Sequence, residues 1–213
     1  MKKINVVGLG TGNTDYLTGA GIRYIKSAEI IIGGERQLED ISSLVSESQE
    51  KYILKKLSEM IEFISANEGR EITVIVSGDT GFYSLLNYLK KNINGRVFNT
   101  VPGISSFQYL FAKLGETWEN YSLYSVHGRE LDIPKVYEES RAGIVLLTDS
   151  ENSPYIIGRI LMKNNFPYAK LICGERLSYP DEMITEFYAK DYEKHNREYK
   201  MNVLIIKKEE EKK

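Results

Sequence analysis

The feature that most constrains this chain is an order repeated three times: a short apolar, β-branched run, a loop of small residues, then a helical pattern. Gly8-Leu9-Gly10-Thr11-Gly12 follows the first run, Ser77-Gly78-Asp79-Thr80-Gly81-Phe82-Tyr83-Ser84 follows Ile72–Val76, and Pro102-Gly103-Ile104-Ser105-Ser106 follows Val97–Val101. Alternating strands and helices joined this way are the mark of βαβ units and a parallel sheet. Loops of that kind bring backbone N–H groups and hydroxyls to the carboxyl edge of the sheet, where α/β proteins bind ligands.

The rest of the pattern extends this reading. Residues 3–9 predict a buried strand, and Leu17, Ala20, Ile22, Ile25 and Ala28 trace a helical stripe over about Tyr16–Ser27. Glu29–Ile32 and Tyr52–Leu54 are strand-sized, with a short helix at Glu35–Ile41. Leu57, Met60, Ile61 and Ile64 mark an amphipathic helix. Helices are expected over about Phe82–Lys91 and Ile104–Leu114. The texture changes after Gly115. Tyr121–Val126, Ile144–Leu147, Ala169–Cys173, Glu182–Tyr188 and Asn202–Ile206 read as strands, with one helix at Pro154–Lys163. The expectation is therefore two α/β domains, 1–115 and 116–213, with a cleft between them. The first should hold a largely parallel sheet and the second a mixed one.

Composition removes several functions. With 213 residues and 42% hydrophobic content the chain can bury its core without staples, and a net charge of −2 is not a nucleic-acid footprint. One cysteine, Cys173, rules out an intramolecular disulfide, and with only His127 and His195 beside it a His/Cys zinc site lacks ligands, so no metal site is expected. Cys173 itself reads as a small buried hydrophobe. The apolar runs fall short of the ~18 residues a spanning helix needs. Lys2-Lys3 before Ile4–Val7 is too short to be a signal peptide, so a cytoplasmic protein is expected, with no membrane or nucleic-acid partner. The closing run Lys207–Lys213 reads as a solvated tail.

Each loop alone has a plainer explanation. The first resembles a dinucleotide fingerprint but ends in Asn13 where that motif needs Gly or Ala, and it lacks the lysine of a phosphate-binding loop. Gly78-Asp79 and Ser105-Ser106 can be ordinary helix caps. Their joint occurrence after neighbouring strands moves the balance toward a ligand site.

Taken in order, these pieces resemble the tetrapyrrole methylase superfamily, whose members use S-adenosylmethionine. They are the N-terminal glycine loop with Tyr16-Leu17-Thr18, Val76-Ser77-Gly78-Asp79-Thr80-Gly81-Phe82-Tyr83-Ser84, and Pro102-Gly103-Ile104-Ser105-Ser106. Ser125-Val126-His127-Gly128-Arg129, Leu146-Leu147-Thr148-Asp149, Gly174-Glu175-Arg176-Leu177 and Asn202–Ile206 are similar to the branch that acts at C5 of cobalt-precorrin-7 in corrin biosynthesis. The likeness runs from about residue 3 to 206. Relatives often carry Pro where this chain has Thr11 and Thr80.

The resemblance implies a two-domain methylase fold with the cofactor folded in the cleft. It would touch Thr11, Gly78, Asp79, Phe82, Ser105 and Ser106, with Leu147, Thr148 and Gly174 on the adenine side. Gly10, Gly12, His127 and Arg129 are the implied contacts of the tetrapyrrole. Carboxylates of such a substrate are best met by Arg forks and backbone N–H groups. That makes His127-Gly128-Arg129 a candidate clamp, with Arg176 and Arg36 as second choices; the plain alternatives are a structural histidine and a surface charge. Asp79 would act through loop geometry or by bonding the cofactor. No catalytic nucleophile is demanded, and no base is assigned, since Asn13 stands where some relatives carry Asp. Trp118 and Tyr109 are expected in packing rather than ring stacking.

The resemblance also implies a homodimer, and a separate protein for the C15 methylation and decarboxylation of the same pathway. Two rivals stay open. One is another methylase of the superfamily, acting on uroporphyrinogen or diphthine; the other is a non-catalytic nucleotide-binding module.

Overall fold

The computed structural model describes residues 3–95 and 97–208. The end of the charged tail, residues 209–213, and Lys2 lie outside the described residues. Two compact units divide between Ser105 and Ser106.

The first unit runs β1 (Ile4–Gly8), α1 (Gly19–Ser27), β2 (Ile30–Gly33), α2 (Glu35–Asp40), β3 (Glu50–Ile53), α3 (Leu57–Ala66), β4 (Ile72–Val76), α4 (Leu86–Asn92) and β5 (Phe98–Val101). Its five strands are all parallel, in the order β3-β2-β4-β1-β5. The connections β1→β2→β3 travel one way across the sheet and β3→β4→β5 travel back. Because parallel crossovers share one hand, the two sets of helices must fall on opposite faces. They do. Ile25 of α1 and Leu38 of α2 pack with Val7, Ile31 and Ile75. Met60 and Ile64 of α3 and Leu89 of α4 pack with Ile4, Val6, Ile32 and Val74. Alternate residues of β1, β2 and β4 thus serve two cores, which explains why these strands read as unbroken apolar runs.

Two expected helices begin later than their apolar pattern. The Asn13 side chain caps a 3-10 turn at Thr14–Tyr16 through Asp15 N (2.9 Å), and the Thr18 hydroxyl then starts α1 by accepting from Gly21 N (3.0 Å). The helix expected from Phe82 starts at Leu86, because Ser84 Oγ donates to the Thr80 carbonyl and accepts from Leu86 N (3.2 Å). Those bonds hold 80–86 as a turn.

The second unit runs α5 (Ser106–Leu114), β6 (Tyr121–Ser125), α6 (Ile133–Glu139), β7 (Gly143–Leu147), α7 (Pro154–Lys163), β8 (Lys170–Glu175), β9 (Met183–Tyr188), a 3-10 segment Ala189–His195 and β10 (Asn202–Lys207). Its sheet has the order β6-β7-β10-β8-β9, parallel only between β6 and β7. The boundary expected near residue 116 lies at the far end of α5. That helix groups with the second unit because Phe111 meets Tyr121 edge to face (4.9 Å) and Leu110 lies against Gly174. Two segments were not foreseen. One is the 3-10 segment; the other is α6, capped by Asp132, whose carboxylate accepts from Lys135 N (3.2 Å), with Pro134 in its first turn. Cys173 and Tyr109 are buried as expected, whereas Trp118 keeps 40% of its surface exposed, edge-on to Phe107.

Candidate cofactor and acceptor site

In the first unit the three glycine loops meet at the carboxyl edge of the parallel sheet. A Cβ on Gly8 would stand 2.6 Å from the Gly78 carbonyl oxygen and 2.7 Å from Gly103 N; one on Gly103 would stand 2.2 Å from that same oxygen. No side chain fits there, so three backbones touch. The Gly10 and Gly78 amides each donate to the other's carbonyl (3.1 and 2.7 Å), and both residues take positive φ (68° and 65°). Asp79 ties the third loop in: one carboxylate oxygen accepts from Gly81 N (2.7 Å) and the other from Gly103 N (3.2 Å). Of its two expected roles, the geometry displays the loop-holding one.

The same edge carries the other predicted residues of this unit. Thr11 is buried, and its hydroxyl has no hydrogen-bond partner among the described residues. Gly12 has φ 113°. Ser105 is buried, its Cα 3.7 Å from where a Gly78 Cβ would be. Phe82 sits in the turn after β4, its ring edge-to-face with Tyr83 (4.9 Å). Arg36, a second-choice clamp, is held by Asp40 (2.8 Å) and donates to Ser77 Oγ (2.8 Å), where Gln37 Nε2 also donates (2.9 Å).

In the second unit β6, β7 and β8 point the same way, so the loops that follow them share one edge. Leu147 and Gly174 flank Val203 of β10 from either side. A Cβ on Gly174 would lie 2.9 Å from Leu177 and 3.1 Å from Leu110. The Thr148 hydroxyl is bonded to Asn202, to its carbonyl oxygen (3.1 Å) and its side-chain Oδ1 (2.6 Å). Ser106 opens α5. His127 and Arg129 are exposed in the turn after β6, so His127 is no buried structural histidine. That turn has Gly128 at φ 61°, with Arg129 N donating to the Val126 carbonyl (3.2 Å).

Asp149 is a residue that sequence reasoning did not single out as functional. It accepts from Gly128 N (2.9 Å), Asn152 N (2.8 Å) and Glu151 N (3.1 Å), which fixes the His127–Arg129 turn against the loop after β7. Burial works to raise its carboxyl, but the Gly128, Asn152 and Glu151 donors outweigh it and hold the group below the ordinary carboxylate range. Arg176, the other second-choice clamp, is already paired with both Asp181 oxygens (2.9 and 3.0 Å) and lies over Tyr179. Buried Glu175 is matched by Arg197 and by Lys200 N (3.0 Å), closing the end of β8. An Arg twenty-two residues downstream leaves no local signal.

In the first unit the predicted residues thus lie in the loops after β1, β4 and β5, and in the second His127, Arg129, Leu147, Thr148 and Gly174 lie at or just after the ends of β6, β7 and β8, while Ser106 begins α5. No group of three or more His, Cys, Asp or Glu side chains placed to hold a metal occurs among the described residues, and none of their helices is long and apolar enough to cross a membrane.

A parallel sheet with three glycine loops fused at its carboxyl edge, followed by a mixed sheet, defines a two-unit α/β protein of a known kind. Residues 3–191 match the family model of the tetrapyrrole (corrin/porphyrin) methylases, and the chain belongs to that family. Among particular relatives, the cobalt-precorrin-7 C(5)-methyltransferase of Salmonella typhimurium is 27% identical over 95% of this chain and 98% of its own length. The precorrin-6Y C(5,15)-methyltransferase [decarboxylating] of a Sinorhizobium species is 28% identical over 85% of this chain, which spans 44% of that longer protein. The fold is shared with uroporphyrin-III C-methyl transferase from Thermus thermophilus, solved in complex with S-adenosylhomocysteine (TM-score 0.78, 19% identity, 97% and 98% of the two chains covered).

Proposed function

We propose that this protein is an S-adenosylmethionine-dependent C-methyltransferase that methylates C5 of cobalt-precorrin-7 in cobalamin biosynthesis. The observation that carries the reading is the three-way backbone contact of Gly8, Gly78 and Gly103, which gathers three loops of backbone and small side chains at the carboxyl edge. Such a cluster suits a cofactor recognised mainly through main-chain groups, and the unpartnered Thr11 hydroxyl beside it suits a polar ligand. The near full-length similarity to a C5 enzyme supports this acceptor over uroporphyrinogen or diphthine.

When bound, S-adenosylmethionine supplies an electrophilic methyl on a sulfonium, so the protein's task is positioning. Holding donor and acceptor carbon in line can contribute up to about 7–11 kcal/mol of barrier lowering. Thr11, Gly78, Asp79, Phe82, Ser105, Ser106, Leu147, Thr148 and Gly174 are assigned to the cofactor, with Asp79 keeping two loops in register. Gly10, Gly12, His127 and Arg129 are assigned to the acceptor, where the exposed Arg129 guanidinium meets a carboxylate. A homodimer and a separate C15 enzyme complete the proposal.

The test is calorimetric titration with S-adenosylhomocysteine beside NAD and ATP, followed by turnover of cobalt-precorrin-7. Selective binding of the thioether and a mass gain of one methyl are expected. Binding of NAD or ATP alone would overturn the assignment.

A further inference from the structure

The hydroxyl of Ser77 is left with only a proton to offer. Ser77 follows β4 directly, at the carboxyl edge of the first unit's sheet and one residue before Gly78, and it is exposed. Strand β2 lies beside β4, and α2 after it brings two side chains to the serine. Arg36 Nη2 stands 2.8 Å from Ser77 Oγ and Gln37 Nε2 stands 2.9 Å from it. Both can only be donors. A guanidinium has no acceptor, and Gly34 N donates to Gln37 Oε1 (2.8 Å), which turns the NH2 end of that amide toward Ser77. A serine oxygen has two lone pairs and one proton. With both lone pairs engaged, the Ser77 O–H is left to donate, and no acceptor for it lies among the described residues.

Tying two loops together does not account for serine at this position. A carboxylate would hold the same two donors more strongly. Serine receives them and still keeps a proton to give. That proton is a strengthened one, because the Arg36 charge draws density from the oxygen that carries it. Asp40 holds the guanidinium from its other side through Nη1 (2.8 Å), which orients Nη2 on Ser77. We infer that the Ser77 hydroxyl donates to a carboxylate of a ligand bound at this edge, with Arg36 and Gln37 as positioning residues that act through it. The inference rests on the proposed function, under which two ligands carry that group: the amino-acid end of the methyl donor and the acid side chains of the tetrapyrrole. It turns Arg36 from a clamp into the support of one.

The experiment compares the full-length protein with Ser77→Ala, Ser77→Thr, Arg36→Gln and the Ser77→Ala/Arg36→Gln double variant. Melting temperature, affinity for S-adenosylhomocysteine and for its decarboxylated analogue, and KM and kcat for cobalt-precorrin-7 are measured for each. Because Ser77 is exposed, Ser77→Ala should melt within about 2 °C of wild type. It loses one hydrogen bond to a charged group, so the ligand whose carboxylate it meets should bind about tenfold or more weakly. If that carboxylate is the donor's, S-adenosylhomocysteine weakens and the decarboxylated analogue does not. If it is the tetrapyrrole's, the acceptor KM rises while kcat stays within about threefold. Either result supports the inference and names the source. Ser77→Thr keeps the O–H and should stay within about threefold of wild type for both ligands. Adding Arg36→Gln to Ser77→Ala should cost no more than about a further twofold, since its effect runs through the missing hydroxyl. Unchanged S-adenosylhomocysteine affinity together with unchanged KM in Ser77→Ala overturns the inference. So does an equal loss for S-adenosylhomocysteine and its decarboxylated analogue, the signature of a disturbed loop. An undiminished Arg36→Gln loss in the double variant overturns the positioning role. Failure of the wild-type protein to bind S-adenosylhomocysteine would overturn the proposed function itself.

Discussion

Gly103→Ala separates the space that the loop cluster lacks from every other effect of losing a glycine. The added Cβ would lie 2.2 Å from the Gly78 carbonyl oxygen and 2.7 Å from the Gly8 carbonyl group, and neither can swing aside because both are backbone. Ordinary contact requires a shift of more than 1 Å, by a rough count from carbon–oxygen van der Waals distances. The Gly78 carbonyl also accepts from Gly10 N, so moving it loosens the bridge between the first two loops. Overpacking of this kind costs about 1–3 kcal/mol and each weakened hydrogen bond about 0.5–1.5, which places the loss near 2–4 kcal/mol. Gly115→Ala is the matched control. It has positive φ (68°) and nothing within 4 Å of the new Cβ, so it carries only conformational strain of about 1–2 kcal/mol. Urea denaturation gives the stabilities, and S-adenosylhomocysteine titration reads the loops. Gly103→Ala should lose most of its ligand affinity and Gly115→Ala should retain it. Equal affinities, or a Gly103→Ala stability within 0.5 kcal/mol of wild type (about the noise of a surface substitution), would refute it.

Other outcomes follow from the same geometry. Thr11→Val removes a buried hydroxyl without a partner among the described residues, so thermal melting should show stability unchanged or raised by up to about 1 kcal/mol, while S-adenosylhomocysteine binds several-fold more weakly; a clear drop in melting temperature would contradict this. Arg129→Ala should weaken tetrapyrrole binding far more than cofactor binding, and equal losses in a folded variant would remove the clamp. The carboxyl of Asp149 is held low in the folded state, so its contribution to the His127–Arg129 turn is present above the ordinary carboxylate value and lost as pH falls through its lowered folded-state value; the protection of the Gly128 amide, its exchange rate relative to the intrinsic rate at the same pH, should therefore fall in acid, and in Asp149→Asn that pH dependence should vanish. Burial pushes the Cys173 thiol up, so an aromatic disulfide reagent should label it only on unfolding, and rapid labelling of the native protein would place it wrongly.

Much of this architecture could be read from local chemistry. The strands of the first unit were plain because both sheet faces are covered, and Ile30, Ile31 and Ile32 can then all be apolar. The glycine loops were legible as strand-to-helix loops of small residues, and their mutual contact is what those residues allow. Helix starts were harder, because Thr18 and Ser84 override the apolar stripe with single side-chain hydrogen bonds. Helix α6 carried a readable start in Asp132 and Pro134, yet its seven residues offer too little periodicity to stand out. Asp149 and the Glu175–Arg197 pair depend on which loops the sheet order brings together, and no window of adjacent residues contains that information.

The sheet order of the second unit also dictates when it can assemble. Strand β10 lies between β7 and β8, so the strand that joins the two halves of that sheet is the last to leave the ribosome. Until residues 202–207 emerge, β6 with β7 and β8 with β9 can form only two separate pairs, each with an open edge of apolar strand. The first unit has no such wait, since all five of its strands precede residue 106. Synthesis should therefore yield a folded N-terminal half tethered to an unfinished partner, and removing β10 alone should raise the chain's tendency to aggregate.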